Sequence, residues 1–219
     1  MYMNIGVLGT GVVGQTIGSK LVQLGHEVML GSRDVDNPKA VAWAKDAGVQ
    51  RAQFGNFANA ASFGDIIFNC TLGTASLDVL RMAGANNLKG KILIDTSNPL
   101  DYSTHLWTLT VSNTDSLGEQ IQREFPDTFV VKSLNTIRCE IMVNPRMLAE
   151  RTDVFLSGNS MDAKATVGMI LRDWFGWRSI IDLGDITTSR GVEMYMILWR
   201  CFRLETSSYY FNIRLVTSA

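Results

Sequence analysis

Short apolar runs, rich in β-branched residues, alternate along this chain with stretches of helical spacing. The runs are NIGVLG (4–9), EVMLG (27–31), DIIFNC (65–70), KILIDT (91–96), TFVVKSL (128–134), DVFLSG (153–158) and SIIDLG (179–184), with a weaker one near 50–54. They are apolar at successive rather than alternate positions, as a strand covered on both faces requires, for example in a parallel sheet between two helix layers. After the first run, Val13, Ile17, Leu21 and Leu24 fall on one stripe at i, i+4, i+8 and i+11, and Gly25 is placed to end that helix. Further helices are expected near 38–47, 75–85, 116–124, 161–175 and 189–204. The last is apolar nearly all the way round from Val192 to Leu204, so burial on most sides is expected. Core packing comes first as the reason, ahead of lining a substrate pocket or meeting a second copy of the chain.

The alternation predicts a doubly wound α/β fold built on a mostly parallel Rossmann-type sheet with right-handed crossovers. Residues 1–135 read as a dinucleotide-binding domain. Residues 136–219 read as a small C-terminal α/β extension ending in the buried helix, packed on the first part or continuous with it.

Composition narrows the class. Of the 219 residues 46% are hydrophobic and 19% charged, enough apolar material for a sizeable core and too little charge for disorder. Lys and Arg number 20 against 21 Asp and Glu, a formal net charge of −1, so nothing in the balance recruits nucleic acid and any anion site is local. Cys70, Cys139 and Cys201 form no CxxC pair or Cys/His cluster, which predicts reduced thiols and no metal site. The opening MYMNIGVLGTG reads as a strand entering a turn rather than as a signal peptide. The most apolar segment, VEMYMILW (192–199), is far shorter than the ~20 residues of a membrane span. A cytoplasmic protein with no membrane partner is expected.

The turn after the first strand carries the chemistry. GTGVVG places Gly9, Gly11 and Gly14 in G-x-G-x-x-G spacing, between a strand and a helix, which is the context that gives the spacing meaning. Gly9 would permit the tight turn, Gly11 the approach of backbone to a pyrophosphate, and Gly14 the close packing of helix on strand. Thr10, Val12 and Val13 complete the backbone facing the anion. At the tip of the second strand, an NAD site usually has an acidic residue for the ribose 2′-hydroxyl; here Ser32 and Arg33 stand, a hydroxyl and a guanidinium suited to a 2′-phosphate. NADP(H) is therefore expected over NAD(H). Asp34 falls slightly late and reads as a turn cap, and Lys39 would add a second positive charge.

With these residues in view, the chain resembles the coenzyme F420-dependent NADP oxidoreductases. The likeness lies in GTGVVGQTIGSKLVQLGHEVMLGSRD, IDTSNPL (94–100), VVKSLNTI (130–137) and DLGDITTSRGVEMYMILW (182–199), and so spans nearly the whole chain. It implies hydride exchange between NADP(H) and the deazaflavin coenzyme F420 or a flavin. By the same likeness Thr71, Leu72, Asn98, Pro99, Asn135 and Thr136, at the ends of later strands, face the cofactor. Ligands do bind beyond the carboxyl ends of the strands in open α/β sheets. The chain departs from the family's pattern at 101–115, a loop peculiar to its subgroup, and at Thr187, Thr188 and Ser189.

Hydride transfer between two stacked rings needs no acid or base side chain, whereas an alcohol dehydrogenase does. Of the two histidines, His26 enters the second strand at the wrong end of the sheet and reads as structural; His105, after the Asn-Pro turn, is the only catalytic candidate. No Tyr-x-x-x-Lys pair or G-x-S-x-G elbow is present. The sequence therefore predicts an NADP(H)-dependent oxidoreductase acting on a small-molecule flavin-like or deazaflavin acceptor. The alternatives are a non-catalytic NADP(H) sensor working through a protein partner, and a flavin or ferric reductase. A homodimer would use the C-terminal helix.

Overall fold

The computed structural model describes residues 2–48 and 50–218. The strands are β1 (Asn4–Leu8), β2 (Glu27–Ser32), β3 (Ala52–Asn56), β4 (Ile66–Asn69), β5 (Ile92–Asp95), β6 (Leu100–Asp101), β7 (Thr108–Leu109), β8 (Phe129–Ser133), β9 (Val154–Gly158) and β10 (Ile180–Asp182). The helices are α1 (Val12–Gln23), α2 (Pro38–Ala47), α3 (Phe57–Phe63), α4 (Gly73–Ala83), α5 (Ala85–Leu88), α6 (Leu117–Glu124), α7 (Cys139–Val143), α8 (Met161–Met169) and α9 (Ser189–Thr206). A π-helical segment, Ile170–Phe175, continues α8.

All seven apolar runs and the weaker one enter a single eight-stranded sheet in the order β10-β9-β8-β5-β4-β1-β2-β3, the expected doubly wound α/β architecture. Neighbouring residues of one strand go to opposite faces. Phe68 and Val131 join a core with α1, α2, α7 and α8, while Ile67 and Val130 join a second core with α3, α4 and α6. That division is why the runs lack alternation. β3, β2, β1, β4, β5 and β8 run parallel; β9 is antiparallel to β8, and β10 is parallel to β9. The segments entering β9 and β10 therefore lie at the end of the sheet where β1 and β4 finish.

Local chemistry sets several boundaries. Asn37 caps α2 by accepting from the backbone N–H of Lys39 and Ala40, with Pro38 in the first turn where its missing N–H costs nothing. Asn56 and Asn59 form a reciprocal capping box at α3. Helix α3 escapes the periodicity argument because FANAASF is mostly small residues, and the 101–115 loop contains the short antiparallel pair β6–β7.

Helix α9 corrects one expectation. It is not buried on most sides: Val192, Glu193, Met196 and Trp199 face inward, while Leu198 and Phe202 remain exposed. Its buried face includes a charge. Lys132 of β8 is sealed from solvent with its Nζ 2.6 Å from Asp95 Oδ2 on β5 and 2.8 Å from Glu193 Oε1 on α9, and it donates to Ser97 O at 2.9 Å. Glu193 also accepts from the first backbone N–H groups of α6, Leu117 at 2.9 Å and Gly118 at 3.0 Å. Burial works against the Lys132 ammonium, but the two carboxylates outweigh it and hold its pKa above the ordinary value.

Removing the cation would leave two buried carboxylates uncompensated. Lys132→Met is expected to lower unfolding free energy by about 3–5 kcal/mol, read from the shift of a denaturant midpoint. An unshifted midpoint would mean that water reaches the group.

Candidate functional site

A crevice of about 670 Å³ opens at the carboxyl ends of β1, β2, β4 and β5, beside the point where the strand order reverses around β1. One end is the glycine turn. Gly9 has φ +117°, and its N–H donates to Gly31 O at 3.0 Å, which joins the turn to β2. A Cβ on Gly14 would lie 2.1 Å from Gly9 O, so that glycine serves contact between helix and turn rather than the crevice. Gly11 is different. A Cβ there would meet nothing within 4 Å, and its φ of −76° is open to any residue. Within the protein nothing requires glycine at that position. The space in front of it is suited to a ligand that must touch backbone, and no side chain caps the N-terminus of α1 behind it.

Beyond the turn, the crevice is lined by Ser32, Arg33, Asp34 and Asn37. Ser32 is buried and donates to the Asp34 carbonyl, which folds the strand tip and leaves Arg33 exposed. Arg33 makes no ion pair among the described residues, so its guanidinium is available to an outside anion.

The middle of the crevice rests on a hydrogen-bonded chain. Thr71 Oγ1 donates to Asn69 Oδ1 at 2.7 Å; Asn69 Nδ2 donates to Asp95 Oδ1 at 2.8 Å; Asp95 Oδ1 also accepts from Ser97 Oγ at 2.6 Å and holds Lys132 through its other oxygen. Thr71 and Ser97 line the crevice at the exposed side of this chain. Asn98 and Asn135 clasp each other: Asn98 Nδ2 donates to Asn135 O at 2.8 Å, and Asn135 Nδ2 donates to Asn98 Oδ1 at 2.9 Å and to Val192 O at 3.2 Å. Both face the crevice, but their amides are engaged in tying the β5 and β8 loops to α9.

The far end is aromatic. Leu100, Tyr102, Trp107, Met196 and Trp199 line it. Trp107 stacks on Trp199 with centroids 6.0 Å apart at 14°, and Tyr102 meets Trp107 edge-on at 5.1 Å. No His, Lys or Glu is among the described residues of the lining. Burial pushes the Cys70 thiol up to about 12 and raises Cys139 and Tyr102 as well, so these groups keep their protons at neutral pH.

The structure thus brings Gly9, Thr10, Gly11, Val12, Val13, Ser32, Arg33, Thr71, Leu72, Asn98 and Asn135 to one crevice. Five other candidates lie elsewhere. Gly14 packs under the turn, and Lys39 lies in a depression between α1 and α2 with Gln15 and Ser19. Pro99 faces a separate hollow of about 220 Å³ beside Arg81 and Gln120. Thr136 is buried at 1% exposure, and His105 is exposed outside the crevice, its carbonyl accepting from Arg200 Nε at 3.3 Å. Sequence reasoning missed the aromatic wall, since Trp107 and Trp199 are distant in the chain and their segments read as loop and packing helix. No group of three or more His, Cys, Asp or Glu residues able to hold a metal occurs among the described residues, and none of their helices is long and apolar enough to cross a membrane.

Two substitutions separate ligand binding from folding. Arg33→Ala is expected to weaken NADPH binding by about 1.5–3 kcal/mol, the range of a hydrogen bond to a charged group, and to leave NADH nearly unchanged; equal loss by calorimetry removes the 2′-phosphate role. Gly11→Ala is expected to keep stability within about 0.5 kcal/mol yet weaken both nucleotides, whereas Gly14→Ala lowers stability by about 1–3 kcal/mol through overpacking.

Comparison with known proteins gives the following. A family model described as NADP oxidoreductase, coenzyme F420-dependent, matches residues 4–99. A crystal structure from Arthrobacter sp. FB24, described as a candidate F420-dependent NADP reductase, is 42% identical with a TM-score of 0.92, covering 98% of this chain and 100% of that one. The metalloreductase STEAP3 of Rattus norvegicus is 29% identical over 190 residues, 86% of this chain and 35% of that protein. STEAP2 of Homo sapiens is 25% identical over 206 residues, 90% of this chain and 37% of that protein. The chain therefore spans about a third of the length of these curated relatives. A reductive aminase from Aspergillus terreus in complex with NADPH, 15% identical with a TM-score of 0.65 over 94% of this chain and 64% of that one, shares the fold.

Proposed function

Since the chain belongs to the family of coenzyme F420-dependent NADP oxidoreductases, we propose that it passes hydride between NADP(H) and a planar flavin-like or deazaflavin acceptor seated on the Trp107–Trp199 wall. The observation that carries this reading is a crevice running from the glycine turn to an aromatic wall, with no His, Lys or Glu among its described lining residues and with Cys70, Cys139 and Tyr102 raised by burial.

The nucleotide supplies a hydride when bound. The chain's own residues bind, orient and exclude water. The backbone N–H groups from Gly11 to Val13 would hold the diphosphate, and Arg33 with Ser32 the 2′-phosphate. Thr71, Leu72 and Asn98 would flank the nicotinamide end, with Thr71 held in place by Asn69. Leu100, Met196 and the stacked indoles offer an apolar face on which a second flat ring can lie close and dry, the main requirement for transfer between two rings. A second reading, a flavin or ferric reductase, is favoured by the likeness to metalloreductases and differs only in the final acceptor.

Loss of reduced-nicotinamide absorbance in the presence of coenzyme F420, FMN or a ferric chelate tests the reading; NADPH binding without turnover on any of them overturns it. Trp199→Ala is expected to raise the acceptor KM by roughly two- to tenfold, the equivalent of about 0.5–1.5 kcal/mol of aromatic contact, while NADPH affinity stays within about twofold.

A further inference from the structure

The hydroxyl groups in the middle of the crevice have a fixed polarity, and a buried charge fixes it. Asp95 is paired with the Lys132 ammonium at 2.6 Å through Oδ2, so its carboxylate can only accept hydrogen bonds. Asn69, fully buried, places Nδ2 2.8 Å from Asp95 Oδ1. That contact decides which way the amide lies, because the amide oxygen in the same place would meet a second acceptor. Asn69 Oδ1 is thereby turned toward Thr71 Oγ1 at 2.7 Å, and the Thr71 hydroxyl must donate to it. Ser76 Oγ, 2.8 Å from Thr71 Oγ1, is then the donor of that pair, which leaves Thr71 a lone pair but no proton for a ligand.

Two neighbours repeat the pattern. Ser97 Oγ donates to Asp95 Oδ1 at 2.6 Å, and Thr96 Oγ1 donates to the Asn69 carbonyl at 2.9 Å. Thr71, Thr96 and Ser97 all line the crevice, so hydroxyls that would otherwise rotate to suit a ligand can offer it only oxygen lone pairs. Donors stand beside them. Among the described residues no side chain caps the N-terminus of α4, and Leu72 and Gly73 at that terminus share the lining. Acceptors next to backbone donors complement a primary carboxamide, whose NH2 donates and whose oxygen accepts. They oppose a carboxylate, which has no proton to give.

We infer that Asp95 and Asn69 are positioning residues: acting through Thr71 and Ser97, they make the middle of the crevice select a ring carrying a carboxamide over the same ring carrying an acid or a ketone. The inference rests on the proposed seating of the nicotinamide beside Thr71 and Asn98, and it adds the groups that decide which dinucleotides are accepted there. It does not depend on the identity of the hydride acceptor.

Nucleotides that differ only at this substituent provide the test: NADP+, its nicotinic acid counterpart, and its 3-acetylpyridine counterpart, in which a methyl group replaces the amide nitrogen. Dissociation constants are measured by calorimetry with the full chain and no hydride acceptor. The natural sequence is expected to bind the acid at least about tenfold more weakly than NADP+, and the neutral ketone roughly three- to tenfold more weakly. Asp95→Asn lets the Asn69 amide turn over and frees the Thr71 proton for the crevice, while Glu193 still neutralises Lys132. The acid should then bind within about twofold of NADP+. Thr71→Val leaves the buried ion pairs intact and removes one acceptor, and it should reduce the penalty on the acid at least about threefold. Ratios between nucleotides cancel any general loss of affinity, which a purely structural role would produce. Equal binding of all the nucleotides by the natural sequence, or a penalty on the acid that Thr71→Val leaves unchanged, overturns the inference while NADP+ binding keeps the cofactor reading. If NADP+ itself gives no heat, both fail together.

Discussion

The ammonium of Lys132 governs how the parts of this molecule meet. It sits inside the sheet, 2.6 Å from Asp95 and 2.8 Å from Glu193, with all three side chains sealed from solvent. Ion pairs so deep recover little net stability, because desolvation of the charges offsets their attraction. What they do fix is geometry, since a misplaced partner would leave a bare charge in the core. Asp95 belongs to β5, Lys132 to β8 and Glu193 to α9, and Glu193 also occupies the N-terminus of α6, where the helix dipole favours an anion. One cation thereby sets the position of the final helix against the sheet. That helix carries Met196 and Trp199, and it reaches the crevice at one place only.

The crevice is therefore built by two independent devices. At the nucleotide end the backbone does the work: Gly9 and Gly14 are demanded by the packing of turn and helix, and Gly11 by an open space. At the other end, side chains do it, and they depend on α9 being in register. The Thr71–Asn69–Asp95–Lys132–Glu193 sequence of contacts runs without a gap from the middle of the crevice to α9. The Asn98–Asn135 clasp, with its bond to Val192 O, repeats the attachment nearer the surface.

The fold and the first half of the site were legible in the sequence because both depend on local pattern. Unalternated apolar runs report burial on both faces, and glycine spacing after a strand reports a turn. The second half was illegible for equally physical reasons. Lys132 sits in a run that reads as a plain buried strand, and its two counter-charges are 37 and 61 residues away. Trp107 and Trp199 come together only when α9 packs beside the 101–115 loop. Asn98 and Asn135 faced the crevice as the family likeness implied, yet their amides are engaged with each other, which spacing along the chain does not reveal. Helix α9 looked apolar all round because a helix with both a buried face and an exposed Leu198 and Phe202 gives the same composition as a buried one.

The chemistry available at the aromatic end follows from what that end withholds. Reducing a carbonyl by hydride leaves an alkoxide, which calls for a proton donor with a pKa near the working pH. The groups along the crevice are moved the other way: burial raises Tyr102, Cys70 and Cys139. A flavin-like or deazaflavin ring makes no such demand, because charge spreads over its conjugated system and is stabilised by nearby cations. Arg200 packs over Trp107, and Arg138 lines the crevice. A carbonyl substrate would find Tyr102, Cys70 and Cys139 held too high to donate a proton near the working pH, which supports the proposed ring acceptor over it.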